Sequence, residues 1–248
     1  MEKEFEFSSI FYDLLYSDKD SVAEVDYVVS KLREHGVNGK RLLEYGSGTG
    51  RHGYLLGDRD YTVLGLERSP AMISMAASSE RFKSELGDIT TTKLTKRFDA
   101  VLALFHVMSY QTSNEALKAA FENAAFHLEN RGLFLFDFWY GPAVIHQKPG
   151  NRFKIANGDA VTIIRMAEPE IYLNENRVDV KYTYVVYQKT SGRIKTANEI
   201  HSLRYFTLPE IDLLADFAGF ERLSAEEWKT GSSPSDNTWG LCVVLRKK

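Results

Sequence analysis

The most constraining stretch of the sequence is RLLEYGSGTGRHG, residues 41–53, in which a short apolar run leads directly into a series of glycines. Four glycines fall within eight residues, at Gly46, Gly48, Gly50 and Gly53. Glycine lets the backbone turn tightly and approach a ligand closely, and the free N–H groups at a helix N-terminus can bind polar groups. The stretch therefore predicts a strand, a glycine turn and a helix that together form a ligand site.

Short apolar runs alternate with helical stretches in the first part of the chain. Four of these runs are predicted as strands: RLLEY (41–45), YTVLGL (61–66), DAVLALF (99–105) and GLFLFDF (132–138). Helix starts are indicated by Ser69 before Pro70 and by a capping box of Thr112 with Glu115. Because the later strands are apolar on both faces, we expect a parallel α/β sheet covered by helices on each side.

A different pattern begins after the last of these strands. From about 151 to 206 apolar and polar residues alternate, as in NRVDVKYTYVVYQ (176–188), which is typical of antiparallel strands. Thr207 with Glu210 then indicates one more helix, and TWGLCVVLRK (238–247) is predicted as a closing strand. The β-rich block is therefore predicted as an insertion into the α/β sheet.

Composition excludes several classes of protein. With 248 residues, 44% of them hydrophobic, the chain can bury the core of one domain. A formal net charge of -3 gives no basic stripe, so we expect a small-molecule substrate and no nucleic-acid partner. Cys242 is the single cysteine, which excludes an internal disulfide framework and a multi-cysteine metal site. Without a basic leader or an 18-residue apolar run, we expect a cytoplasmic protein with no membrane partner and no metal.

Two classes of ligand fit the glycine turn. Gly48, Gly50 and Gly53 satisfy the dinucleotide fingerprint G-x-G-x-x-G, and Glu67 lies near the position of a ribose-binding acid. This pattern keeps an NAD-dependent oxidoreductase open as an alternative. The fingerprint alone has little specificity, so the decision depends on the flanking residues.

Read from Glu44, the same stretch is Glu44-x-Gly46-x-Gly48-x-Gly50, and it resembles motif I of the class I S-adenosylmethionine (SAM) dependent methyltransferases. Gly87-Asp88-Ile89 resembles the element of that family that holds the adenine, and FDAVLALFHVMSY (98–110) its fourth strand and following loop. The resemblance implies SAM as cofactor and S-adenosylhomocysteine as product. The cofactor-binding residues that it implies are Tyr12, Tyr16, Glu44, Gly46, Gly48, Gly50, Glu67, Arg68, Asp88, Ile89 and Leu104.

A finer resemblance covers most of the chain. YDLLYSDKD (12–20), GLFLFDFWYGP (132–142), EIHSLRYFT (199–207) and the late WGL (239–241) resemble the N,N-dimethyltransferases of nucleotide-linked amino sugars, of the desosamine and mycaminose type. The implied function is N-methylation of an amino sugar or a similar amine. In those enzymes an arginine associated with nucleotide-phosphate binding precedes the late Gly-Leu, whereas this chain has Trp239 there.

The resemblance also implies the architecture. We expect a Rossmann-like class I methyltransferase sheet with helices on both faces and an inserted antiparallel β-rich cap after the fifth strand. The single domain, 1–248, would comprise an N-terminal helical lid (1–36), a SAM-binding core (37–140), an antiparallel insert that roofs the substrate cleft (141–206), and a closing helix and strands (207–248). The oligomeric state is open, with a homodimer as one alternative.

Methyl transfer from a sulfonium is an in-line displacement, so alignment in a dry cleft can carry most of the catalysis. His106 and Tyr110 follow the fourth strand and are the candidate catalytic residues, either as a base or as positioning groups. The matching loop of the family has no histidine at the His106 position, which favours positioning. The candidate substrate-binding residues are Trp139, Tyr140, Arg165, His201 and Trp239. An O-methyltransferase of a small metabolite and a SAM-binding regulatory protein remain as alternatives.

Overall fold

The computed structural model describes residues 7–248, so the part of the predicted lid that precedes Phe7 lies outside the described residues. The strands of the central sheet are β1 (Arg41–Tyr45), β2 (Thr62–Glu67), β3 (Phe82–Leu86), β4 (Phe98–Ala103), β5 (Leu128–Trp139), β10 (Phe220–Glu227) and β11 (Gly240–Lys247). They lie in the order β10-β11-β5-β4-β1-β2-β3. The strands β1 to β5 pair in parallel, while β11 pairs antiparallel with both β5 and β10.

Helices cover both faces of this sheet. They are α2 (Ser21–Glu34), α3 (Arg51–Gly57), α4 (Pro70–Met75), α5 (Asn114–His127), α6 (Gly141–Gln147) and α7 (Leu208–Phe217), after a short α1 (Tyr12–Leu15). The alternation of side chains along β1 shows the two layers. Leu43 packs in the core with α5 and α7, whereas Leu42 packs in the core with α2 and α3. The predicted fold class is confirmed.

The β-rich insert forms a separate antiparallel sheet. Its strands are β6 (Arg152–Asn157), β7 (Val161–Tyr172), β8 (Arg177–Gln188) and β9 (Ile194–Arg204), in that order. The insert leaves and rejoins the core at one place, where Tyr140 and Phe206 form an isolated bridge. Leu15 of α1 packs against Ile163 and Tyr184 of this sheet, so the N-terminal segment and the insert share one apolar cluster.

Several local expectations were wrong. Ser113, and not Thr112, caps α5, because its side chain accepts the N–H of Ala116. Thr207 precedes α7 but its side chain makes no capping bond, and Glu210 accepts a hydrogen bond from Arg204. Within the described residues, no helix is both long enough and apolar enough to cross a membrane.

Candidate active site

A cleft of about 880 Å³ lies at the carboxyl ends of β1, β2 and β4, where open α/β sheets bind ligands. Its lining comes from the segments that follow β1, β2, β3 and β4, from Trp139 at the end of β5, and from a roof formed by α1 with the strands β8 and β9. The cleft therefore has a floor supplied by the core and a roof supplied by the insert and the N-terminal segment.

The three alternating glycines have different tasks. Gly46, Gly48 and Gly50 all have positive φ, at 63°, 56° and 81°. A Cβ on Gly48 would meet no atom within 4 Å, whereas a Cβ on Gly50 would lie 2.3 Å from Cε1 of Phe82. Gly48 therefore leaves its space to the cleft, while Gly50 lets the core pack against the turn and does not line the cleft.

Glu67 is the last residue of β2 and lies beside the glycine turn. Its Oε2 accepts the N–H of Gly48 at 2.9 Å, and its Oε1 accepts the N–H of Ser69 at 2.8 Å. The side chain lines the cleft with its carboxylate already oriented by these two bonds. Each carboxylate oxygen has a further lone pair. Glu67 can therefore accept two hydroxyl groups from a ribose.

Asp88 and Ile89 form the next part of the floor, directly after β3. Asp88 Oδ1 accepts both the N–H and the hydroxyl of Thr90, which fixes an exposed acid at the rim. Ile89 is buried beside it and also lines the cleft. An acid next to an apolar surface suits a flat base with an exocyclic amino group.

Glu44 lies beneath the glycine turn and does not line the cleft. The residue is 2% exposed, and its Oε2 has no hydrogen-bond partner within the described part of the chain. Burial, opposed by Lys19 and assisted by the nearby Glu67, raises the pKa of Glu44 to about 8. The Lys19 ammonium is itself held at 2.9 Å from Glu24 Oε2, over the ring of Phe105. Lys19, which also lines the cleft, therefore lies near two buried acids, Glu24 and Glu44.

The loop after β4 is held by Asp137, at the end of β5. Phe105 and His106 both have positive φ, at 64° and 63°, a backbone conformation that residues other than glycine rarely adopt. Asp137 Oδ1 accepts the N–H of Phe105 at 2.6 Å, and both carboxylate oxygens lie within 3.3 Å of the His106 backbone nitrogen. Asp137 Oδ2 also lies 2.8 Å from Nδ1 of His106. Asp137 was not among the predicted site residues, although one acid in the apolar run GLFLFDF (132–138) was a usable signal.

Tyr110 stands on the 3-10 turn Val107–Tyr110 and lines the cleft. Its hydroxyl lies 3.0 Å from Nδ1 of His201, and Nε2 of His201 lies 3.2 Å from Glu199 Oε2. His201 is 4% exposed and sits behind Tyr110, because the insert packs against the 3-10 turn at this point. His201 therefore lies outside the cleft lining, and its contact with the acceptor stays a prediction.

The other predicted acceptor residues divide between the cleft and its surroundings. Trp139 lines the cleft, and Trp239 packs edge-on behind it with ring centroids 5.9 Å apart. Trp239 donates its indole N–H to Gln147 instead of facing the cleft. Tyr140 packs against the central core. Arg165 lies outside the lining, where it donates to the hydroxyl of Tyr16 and lies over the ring of Tyr182, two residues that line the cleft.

The structure brings together twelve of the predicted site residues along the cleft: Tyr12, Tyr16, Gly46, Gly48, Glu67, Arg68, Asp88, Ile89, Leu104, His106, Tyr110 and Trp139. Six lie outside the lining: Glu44, Gly50, Tyr140, Arg165, His201 and Trp239. The sequence reasoning missed several lining residues, among them Lys19, Arg51, Gln111 and Tyr182. The roles of the predicted site residues as ligand contacts stay predictions.

Residues 42–132 match the family model described as a methyltransferase domain. The dTDP-3-amino-3,6-dideoxy-alpha-D-glucopyranose N,N-dimethyltransferase of Streptomyces fradiae is 31% identical over 229 residues, covering 90% of this chain and 86% of that protein. The chain belongs to the amino-sugar N,N-dimethyltransferase family of SAM-dependent methyltransferases. A second member, the dTDP-3-amino-3,4,6-trideoxy-alpha-D-glucopyranose N,N-dimethyltransferase of Streptomyces venezuelae, is 26% identical over 84% of this chain and 87% of that protein.

Solved structures show the same fold as this methyltransferase. The sugar N-methyltransferase KedS8 from Streptoalloteichus superposes with a TM-score of 0.80 at 22% identity, covering 96% of this chain and 93% of that one. The SAM-bound amino pentose methyltransferase CalS10 from Micromonospora echinaspora superposes with a TM-score of 0.77 at 23% identity, covering 100% and 99%. SAM is the cofactor of this methyltransferase. The open space at Gly48 and the oriented carboxylate of Glu67 fit that molecule.

Proposed function

We propose that this methyltransferase transfers a methyl group from SAM to the amine nitrogen of a small amino sugar, carried by a nucleotide as in the named substrates of its relatives. The single observation that carries the proposal is the aromatic part of the cleft, beside the glycine turn and Glu67. Tyr110, Trp139 and Tyr182 line it together with Leu203. Aromatic rings offer flat apolar faces to the C–H faces of a sugar ring, while a hydroxyl can hold its amine.

The chain's own groups fit a reaction that depends on alignment. When bound, SAM supplies an electrophilic methyl on a positively charged sulfur. The acceptor nitrogen must then present a lone pair in line with that methyl, which positioning groups such as Tyr110 can arrange. The roof of α1, β8 and β9 limits access of water to the reacting atoms. We further propose that the enzyme works in the cytoplasm; a homodimer stays a prediction.

The experiment compares matched acceptors with SAM as donor. A dTDP-linked amino sugar of the type named for the relatives is paired with the same sugar carrying a hydroxyl in place of the amine, and with the methyl glycoside of the amino sugar. We expect product mass increments of one or two methyl groups with the dTDP-linked amine. Equal methylation of the hydroxyl sugar would contradict N-methylation, and equal turnover of the methyl glycoside would contradict the nucleotide-linked acceptor.

A second function, O-methylation of a small metabolite, is favoured by one observation. A hydroxyl acceptor needs a base more than an amine does, and His106 lies 2.8 Å from the carboxylate of Asp137. A histidine oriented by an acid can take a proton from a hydroxyl. The same acceptor pair distinguishes the two functions, because an O-methyltransferase would also methylate the hydroxyl sugar, whereas an N-methyltransferase would leave it unchanged.

A further inference from the structure

A line of three polar side chains leads away from the cleft into the insert. The hydroxyl of Tyr110 lies 3.0 Å from Nδ1 of His201, and Nε2 of His201 lies 3.2 Å from Oε2 of Glu199. Tyr110 lines the cleft, whereas His201 and Glu199 are 4% and 1% exposed. The cleft is therefore connected to a buried imidazole and a buried carboxylate through one hydroxyl group.

The protonation states along this line follow from Glu199. Burial raises the pKa of Glu199, but hydrogen bonds from His201 and from the N–H groups of Ser8 and Phe7 lower it to about 2. Its Oε1 accepts those two backbone N–H groups at 2.9 and 2.6 Å. Glu199 is therefore an anion that can only accept. Nε2 of His201 must then carry the hydrogen, which leaves Nδ1 as the acceptor for the hydroxyl of Tyr110.

We propose that Tyr110, His201 and Glu199 form a proton relay that removes the proton from the acceptor's ammonium group; this inference rests on the proposed N-methylation. The ammonium N–H bond breaks as its proton moves to Oη of Tyr110, and the hydroxyl proton of Tyr110 moves to Nδ1 of His201. The products are a neutral amine with a free lone pair and an imidazolium beside the anion of Glu199. Charge and protons balance without any further reactant.

The surroundings of His201 suit this task. Among residues 7–248, titratable groups face it from three elements: Tyr110 from the 3-10 turn, Tyr182 from β8 with its ring edge-on at 4.9 Å, and Glu199 from β9. Arg165 of β7 lies over the ring of Tyr182, with its guanidinium carbon 5.1 Å from the centroid. The anion of Glu199 is the group in direct contact with Nε2, so it stabilises the imidazolium that the relay creates.

The first test needs no turnover. Nitrogen NMR of protein labelled at its six histidines identifies the tautomer of each ring, and His201→Gln assigns the His201 signals by their loss. We expect the Nε2–H tautomer for His201 at neutral pH, with an Nδ1 signal that shifts in Tyr110→Phe. An Nδ1–H tautomer for His201 would overturn the relay, whatever the acceptor of the enzyme proves to be.

The second test is the pH dependence of kcat/KM for the amino-sugar acceptor, between about pH 6 and about pH 10, where an amine loses its proton. At the acidic end we expect a loss of about 10²-fold or more in His201→Gln and in Tyr110→Phe. The loss should shrink as pH rises, because more of the acceptor is already neutral. His146→Gln, on the exposed face of α6, is the matched control and should follow the wild type.

The outcomes distinguish a proton relay from a purely structural role of His201 and from proton removal by His106. Calorimetric binding of SAM and far-UV circular dichroism establish that each variant is folded. A loss in His201→Gln that is equal at all pH values would indicate only a structural role and would overturn the relay. A pH-dependent loss of kcat/KM in His106→Asn, together with normal turnover in His201→Gln, would also overturn the relay. If the wild-type enzyme methylates no amine at all, the proposed function fails, and the tautomer measurement still decides whether the hydrogen-bonded line exists.

Discussion

Asp137 holds the backbone of His106, because its carboxylate accepts the His106 N–H, and its Oδ2 lies 2.8 Å from Nδ1 of the His106 ring. The same carboxylate accepts the N–H of Phe105, the other residue of this loop with positive φ. The acid therefore stabilises a strained turn that places one imidazole at the cleft. This task explains why an ionisable residue lies at the buried end of β5.

Replacement of His106 tests whether this imidazole is the base. We expect His106→Ala to lower kcat by about tenfold or less, because alignment of the amine carries most of the rate in this cleft. Steady-state kinetics with saturating SAM measure the effect, and calorimetry checks that SAM still binds. A loss of more than about a thousandfold with both ligands bound normally would make His106 the base.

The glycine turn offers a matched pair of variants. Gly48→Val should abolish SAM binding while the far-UV circular dichroism is retained, because the new side chain occupies open space in the cleft. Gly50→Ala should instead destabilise the protein, since its Cβ would lie 2.3 Å from a ring carbon of Phe82. Titration with SAM and thermal unfolding measure the two effects. Normal SAM affinity in Gly48→Val would show that Gly48 does not border the cofactor.

The parallel strands were predictable because a buried strand is apolar on both faces. The strands β3 and β10 were missed because they lie at the two edges of the sheet, where FKSEL and FERLSAEE carry exposed charged residues. The predicted cap of α5 was one residue too early for a different reason. Thr112 and Ser113 both carry a hydroxyl that can cap a helix, and only the backbone conformation decides between them.

Which residues line the cleft was predictable where a motif follows a strand directly, as for Gly48, Glu67 and Asp88. How far a residue lies from the cleft was not predictable. His201 lies in a strand of alternating polarity, as a cleft residue could, but Tyr110, which is 91 positions away in the chain, lies between it and the cleft. Asp137 contacts a loop 31 positions away. Such contacts depend on how β5 and the insert pack, which local patterns do not report.

Glu67 is predicted to hold the cofactor ribose. A carboxylate that accepts hydroxyl groups contributes about 1.5–3 kcal/mol per charge-assisted bond, so Glu67→Ala should weaken SAM binding about tenfold or more. Because Glu67 also accepts the N–H groups of Gly48 and Ser69, far-UV circular dichroism and thermal unfolding of Glu67→Ala serve as the control for loss of the turn. Calorimetric titration measures the affinity for SAM. Unchanged SAM affinity in Glu67→Ala would refute this assignment.

The buried Glu44 predicts a dependence of stability on pH. Burial raises its pKa from 4.5 to about 8 in the folded protein, so the folded state binds the proton more tightly than the unfolded chain. Its contribution to stability is therefore complete below the unfolded pKa and is lost as pH rises through about 8. We expect Glu44→Gln to lose less Tm than the wild type as pH rises from about 4.5 to about 8, without SAM. The exposed Glu168→Gln is the control and should follow the wild type. An identical loss in Glu44→Gln would contradict the raised pKa.

The most direct test of the account is the destination of the methyl group. The enzyme is incubated with a dTDP-linked amino sugar and SAM labelled with carbon-13 on the methyl, and carbon NMR of the product identifies the atom that carries the label. The account predicts labelled methyl carbon bonded to the sugar nitrogen, formed together with S-adenosylhomocysteine. Label on a sugar oxygen would contradict the account. So would the absence of methyl transfer from an enzyme that is shown to bind SAM.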